Sequence, residues 1–196
     1  VTDMANMFDG ATSLTSVSLP TTDSVVNMGY MFQGATAFNQ DLSAWNTSAV
    51  RTMTHMFKGA TAFNQDLSAW DTGNVTSMSN MFNGATAFNQ DLSAWDTGNV
   101  TSMSNMFNGA TRFGFTSFPK DIRAWDVDNV SSFRFMFDGA TAMIDAYSNT
   151  PNWNTTPTAA WFSDTIAPTL SAVSIASNNS TTTLAKVSNV VTLTFT

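Results

Sequence analysis

The stretch MFNGATAFNQDLSAWD at residues 81–96 decides the fold, because it recurs along the chain at a fixed period. Residues 56–71 are MFKGATAFNQDLSAWD and residues 31–44 are MFQGATAFNQDLSA, so the same unit returns every 25 residues. A tandem repeat of this length predicts a stack of coils in which each unit is stabilised by its neighbours. Six units begin in the chain, each marked by a Met-Phe pair, which exceeds the roughly three that such a stack needs.

The first half of each unit has helical spacing. In residues 100–110 the apolar side chains fall three and four positions apart, which predicts a short amphipathic helix. Asn99 or Thr101 is placed to cap its start, and Gly109 stands where a left-handed residue would end it.

The second half of each unit lacks this spacing and is predicted to be extended. In residues 88–95 the bulky side chains expected to point inward are Phe88, Leu92 and Trp95. One short strand and one short helix per coil predict an α/β repeat solenoid whose strands stack as a parallel sheet.

The motif MFxGATAFNQDLSAWDTxNVTxMxxMF resembles the 25-residue repeat of BspA-like leucine-rich repeat surface proteins. The resemblance covers roughly residues 1–146 and holds over four consecutive units. It implies a leucine-rich-repeat-like fold and a secreted or surface-anchored protein with a role in adhesion. It carries over no catalytic residue.

Composition narrows the function class. The chain has only seven Lys and Arg and a formal net charge of −7, so it has no basic patch that would favour nucleic acid. One histidine, no cysteine and no glycine-rich phosphate loop leave nucleophilic and phosphoryl-transfer chemistry without a candidate, which predicts a non-enzymatic protein. No apolar run approaches about 18 residues, so no transmembrane segment is predicted.

The repeat weakens towards the C-terminus, which divides the chain into three parts. Residues 1–162 are predicted to form the solenoid with a C-terminal cap, and residues 163–168 a linker. Residues 169–196 alternate apolar and polar side chains in two stretches, as strands do. The stretch DTIAPTLSAVSIASNN at residues 164–179 resembles the opening of bacterial immunoglobulin-like modules. Such a sandwich needs about 100 residues, so this all-β segment is predicted to be incomplete.

Several polar residues form files, each at one position of successive repeats. Asp41, Asp66 and Asp91 make one such file. It has two interpretations: cation sites, calcium among them, because hard cations take carboxylate oxygens, or aspartates that each cap a turn. A second file runs through Asn46, Asp71, Asp96 and Asp126. The asparagine file of Asn39, Asn64 and Asn89 is predicted to bond the backbone inside a turn.

Two aromatic and apolar files are predicted to belong to the core. The methionines at helical spacing beside phenylalanine are core fillers rather than soft-metal ligands. The tryptophan file follows the same rhythm and is predicted to face inward, although an outward row would suit sugar rings or a protein partner. Its members are Trp45, Trp70, Trp95 and Trp125.

Removing the core positions leaves a repeated polar face as the candidate binding surface. Its residues are Gln65, Asp66, Ser68, Gln90, Asp91 and Ser93. A second candidate is the insertion in the fifth unit, which adds Phe115 and Phe118 and has two interpretations, a contact site or a local packing adjustment. These features predict an extracellular or cell-surface, adhesin-type module that binds protein or glycan.

Two alternatives remain open. Residues 169–196 could pair with a neighbouring subunit, which would make the chain a structural unit of a self-assembled filament or surface layer. Flat threonine files such as Thr61, Thr86 and Thr111 would suit ice or another crystalline surface.

Overall fold

The computed structural model describes residues 1–19, 21–114, 122–149 and 152–162. Its regular elements are a 3₁₀ helix at Ile122–Ala124 and two α-helices, α1 (Thr141–Tyr147) and α2 (Ala159–Phe162). Within these residues no β-strand forms. Successive coils are instead joined by single parallel bridges along one line, through Asp3, Asn27, Thr52, Ser77, Ser102 and Ser132.

The predicted α/β leucine-rich-repeat-like fold is therefore wrong. The described coils contain neither a helix nor a strand in each repeat, and no all-β segment is present among them. The linker at residues 163–168 and the immunoglobulin-like segment at residues 169–196 lie outside the described residues.

Hydrogen bonds between coils alternate with hydrogen bonds inside each coil. In residues 103–109 every second backbone N–H donates to a carbonyl oxygen of the next coil, at 2.7 to 2.9 Å from Asn105, Phe107 and Gly109. The intervening N–H groups donate three residues back within their own coil, at 3.0 to 3.2 Å from Met106, Asn108 and Ala110. Bonds that span three residues close tight turns, whereas an α-helix needs bonds that span four.

Left-handed residues are the reason that residues 100–110 do not form the predicted helix. Asn105 has φ 55° and Gly109 has φ 68°, and a left-handed residue every four positions cannot be part of a right-handed helix. The left-handed conformation predicted for Gly109 is confirmed, but it lies between turns rather than at a helix end. The positions equivalent to Asn105 are left-handed in the other units, at Asn6, Tyr30, His55, Asn80 and Phe135.

The core is built from two columns of phenylalanine rings that run along the stack. In the first, Phe57, Phe82 and Phe107 stack at 5.6 to 5.7 Å between centroids. In the second, Phe63, Phe88 and Phe113 stack at 6.1 Å. Rings of the two columns face each other at 3.9 Å in the Phe82–Phe88 pair. Each aromatic pair contributes about 0.5–1.5 kcal/mol beyond the burial of its area.

The core predictions are confirmed although the secondary structure is not. Phe88 and Leu92 are fully buried and Trp95 is 3% exposed, as expected of inward-facing residues. The Trp95 indole Nε1–H donates to the Leu67 carbonyl oxygen of the preceding coil at 3.0 Å. The repeat methionines are fully buried, at Met53, Met56, Met78, Met81, Met103 and Met106.

Residues 88–95 are not an extended strand, because they form no bridge to a neighbouring coil. The chain turns there, and the Trp95 N–H donates to the Leu92 carbonyl oxygen at 3.1 Å. The bridges run instead through the half that was predicted to be helical, at Ser77 and Ser102.

Residues 152–162 cover the last coil. Phe137 donates its N–H to the Thr155 carbonyl oxygen at 2.8 Å, in the place where earlier coils bond to their successors. Trp161 is fully buried and packs edge-on against Phe137 at 5.5 Å. Within the part of the chain that the structure describes, no helix has the length and apolar character needed to span a membrane.

Candidate binding face

The asparagine file bonds the backbone, but of the next coil rather than inside a turn, and so forms a ladder that joins the coils. Asn64 donates its backbone N–H to Asn39 Oδ1 at 2.9 Å, and Asn89 donates in the same way to Asn64 Oδ1 at 2.8 Å. Because the side-chain oxygens of Asn39 and Asn64 each accept from the next unit, these asparagines hold the stack in register.

The glutamines of the candidate face belong to the same ladder. Gln65 Nε2 donates to the backbone and side-chain oxygens of Asn39, both at 3.0 Å. Gln90 Nε2 makes the same two contacts with Asn64 at 2.9 Å. The amide donors are therefore used inside the stack, and each glutamine keeps its Oε1 acceptor without a partner among the described residues.

The aspartates each close a tight turn. The backbone N–H of Ser68 donates to Asp66 Oδ1 at 2.8 Å, and that of Ser93 donates to Asp91 Oδ1 at 2.9 Å. Asp41 accepts from Ser43 in the same way, and this hydrogen bond lowers the pKa of the Asp41 carboxyl. The geometry matches the turn-capping interpretation of the file, and it leaves Oδ2 of Asp66 and of Asp91 free of described partners.

A second line of carboxylates runs beside the first. Asp71 Oδ1 accepts the N–H of Gly73 at 3.0 Å, and Asp96 Oδ1 accepts that of Gly98 at 3.0 Å. A Cβ built on Gly73 would lie 3.3 Å from Asp96 Oδ2 and 3.4 Å from Asp71 Oδ1, so glycine lets the carboxylates of adjacent coils converge.

Each coil therefore carries an arc, at residues 65–71 and 90–96, that runs from the glutamine to the second aspartate. This arc is acidic and rich in hydrogen-bond acceptors. No Lys or Arg lies in residues 61–75 or 86–101, so nothing within this arc neutralises its charge. In the described ranges, no three His, Asp or Glu side chains come together in a group that could hold a metal ion.

The structure brings the six predicted face residues together as two equivalent sets on successive coils. Asp66 and Ser68 are exposed, and Gln65, Gln90, Asp91 and Ser93 are half-buried. One coil earlier, the amide of Gln40 pairs with both the N–H and the C=O of Val17 and has no free oxygen. The other predicted contact residues, Phe115 and Phe118, lie outside the described residues.

Sequence reasoning missed two surface features. His55, at the repeat position of Asn80 and Asn105, is left-handed, with φ 62°, and its ring stacks on Tyr30 at 4.4 Å. Burial and the nearby charge of Lys58 lower the pKa of His55. A continuous chain of hydroxyl groups, linked at 2.6 to 3.4 Å, also runs along the bridges, through Thr52, Thr54, Ser77, Ser79, Ser102, Ser104 and Ser132.

Comparison with known proteins gives one family. A family model described as "Mycoplasma protein of unknown function, DUF285" matches residues 2–115 and 65–170, which together are more than half of the chain. No curated protein and no solved structure matches.

Proposed function

This chain belongs to the family DUF285, described as a mycoplasma protein of unknown function, and we propose that it is a non-enzymatic binding module of a secreted or cell-surface protein. Its repeat resembles that of BspA-like surface proteins, which supports a location outside the cell and a role in adhesion. The proposed ligand-binding residues are the two sets formed by Gln65, Asp66 and Ser68 and by Gln90, Asp91 and Ser93.

The observation that carries the proposal is the one-sided use of hydrogen-bonding groups on this face. The ladder takes up the glutamine donors, and the turns take up one oxygen of each aspartate. What is left without a described partner is an acceptor pair, Gln Oε1 and Asp Oδ2, present on both coils.

A partner that fits this face must supply donors. Glycan hydroxyls and the amide or guanidinium groups of a protein have that chemistry, and charge-assisted bonds to a carboxylate are stronger than neutral ones. The net charge of −7 disfavours a polyanionic partner for this arc.

Repetition would supply affinity that one unit lacks. Because the ladder fixes both sets on one rigid stack, a partner that also repeats can engage them together, and linked weak contacts strengthen one another.

The test is a pair of double variants compared on a glycan array and on intact cells. Asp66→Asn with Asp91→Asn keeps Oδ1 for the turn but replaces the free acceptor by a donor. We expect this variant to lose at least about tenfold in apparent affinity.

A matched control removes the same charge from the neighbouring file. Asp71→Asn with Asp96→Asn reproduces the natural residue Asn46, whose Oδ1 accepts the Ser48 N–H at 3.0 Å. We expect this control to bind like the wild type. Equal losses of affinity in the two variants would mean that only net charge matters. That result would reject the proposal that this face binds the ligand.

A further inference from the structure

Two adjacent residues of the last coil depart from the repeat on the same surface. Where the preceding coil has Ser104 and Asn105, the last has Arg134 and Phe135. Ser104 belongs to the hydroxyl chain and Asn105 is one of the left-handed residues. In the last coil, arginine therefore stands where the preceding coil has a hydroxyl residue, and phenylalanine stands where it has a residue that tolerates positive φ.

Phe135 is strained. Its φ is 54°, a conformation that asparagine and glycine tolerate and that a bulky residue rarely adopts. Burial does not offset the strain, because Phe135 is 42% exposed whereas Phe133 and Phe137 are buried. Backbone strain of this kind is retained mainly where a side chain is needed in a fixed position.

The surroundings hold the pair in place. The Phe135 N–H donates to Thr156 Oγ1 at 2.8 Å, so the covering segment clamps the left-handed backbone. The Arg134 guanidinium lies over the Phe135 ring, 4.7 Å from its centroid, which orders both side chains. Arg134 is exposed and forms no ion pair with another described residue.

We propose that Arg134 and Phe135 form a contact site for a protein partner that presents a carboxylate beside an apolar side chain. Arginine is enriched among the residues that contribute most to binding energy in protein interfaces, and both arginine and phenylalanine are enriched in interfaces relative to the rest of the surface. An ordered, unpaired guanidinium in a chain of net charge −7 is complementary to an acidic group. The exposed part of the phenylalanine ring adds an apolar contact beside the cation.

This site is separate from the repeated acceptor face. The two proposals can therefore fail independently. The Asp66→Asn/Asp91→Asn variant is expected to keep full affinity for the partner that binds Arg134 and Phe135.

The test uses the full chain and three polymers: a random glutamate–tyrosine copolymer, polyglutamate and dextran sulfate. We expect the wild type to bind the copolymer most tightly. The variant Arg134→Ser/Phe135→Asn restores the residues of the preceding coil and is expected to lose at least about tenfold in affinity for the copolymer. Phe135→Asn alone should abolish the preference for the copolymer over polyglutamate.

Two controls separate this site from general charge and from damage to the fold. Arg51→Thr removes a different exposed cation by restoring the residue found at Thr76 and Thr101, and it should leave binding unchanged. Phe135→Asn should leave the melting temperature unchanged or raise it, because it relieves strain. Unchanged binding of the double variant, equal binding of dextran sulfate and copolymer, or a lower melting temperature of Phe135→Asn would overturn the proposal.

Discussion

Substitutions of Asn105 should distinguish a coil made of turns from a coil that contains a helix. Asn105 has φ 55°, and its side chain forms no hydrogen bond with another described residue, so the backbone conformation dominates the effect. We expect Asn105→Gly to be more stable than Asn105→Ala. In a helix the order would be reversed, because alanine is the better helix former.

The size of the stability difference between the glycine and alanine variants follows from two opposing free-energy terms. A left-handed conformation costs an ordinary residue about 1–2 kcal/mol, and the larger entropy of unfolded glycine gives back roughly 0.5–1 kcal/mol. The glycine variant should therefore be more stable than the alanine variant by about 1 kcal/mol. A helix would instead make the alanine variant more stable by about 0.8–1.0 kcal/mol. The two backbones therefore predict stability differences of opposite sign that lie about 2 kcal/mol apart.

The assay is urea or thermal unfolding of both variants beside the wild type. A difference of 1 kcal/mol corresponds to about 2–4 °C in melting temperature for a chain of this size. Ala146→Gly in α1 (Thr141–Tyr147) is the matched control, because glycine should destabilise a true helix. An alanine variant at position 105 that equals or exceeds the glycine variant would refute the turn geometry.

Three further predictions concern the core, pH and assembly. Phe82→Ala should reduce stability by about 3–5 kcal/mol, because its ring is fully buried between two stacked neighbours, and the half-buried Phe8→Ala should cost less. The pKa of folded His55 lies below its ordinary value of 6.5, so the unfolded chain takes up the proton first. Stability should therefore fall as pH drops below 6.5, and His55→Asn should remove that slope in pH-dependent unfolding curves. If the chain assembles through residues 169–196, their removal should abolish polymers in light scattering, and polymers that persist would contradict that route.

The core could be predicted from the sequence because burial depends on spacing, whatever the local backbone. Successive turns that each span three residues place Met103, Met106 and Phe107 on one side, as a helix would. Apolar spacing of three and four therefore identified the buried residues but could not distinguish these two backbones.

The signal against a helix was the asparagine at one repeat position. Asn80 and Asn105 recur with the glycines four residues later, and both residue types tolerate positive φ. Tyr30, His55 and Phe135 at the same position hid this pattern, because bulky residues are uncommon in that conformation.

The candidate face was only partly predictable for a related reason. The residue types Gln, Asp and Ser indicate a polar, exposed surface. The structure shows which of their atoms already form hydrogen bonds between coils. Donation from Gln65 Nε2 to Asn39 of the preceding coil depends on the register between coils. That register depends on contacts between units and cannot be read from one unit alone.

The number of repeats provides the most direct test of the proposal that binding uses a repeated acceptor face. Duplicating residues 65–89 adds one set of Gln, Asp and Ser in register, and deleting the same residues removes one. We expect apparent affinity for the cell surface to rise by at least about tenfold with the added set and to fall correspondingly with the deletion. Equal affinity of all three folded chains would contradict the account.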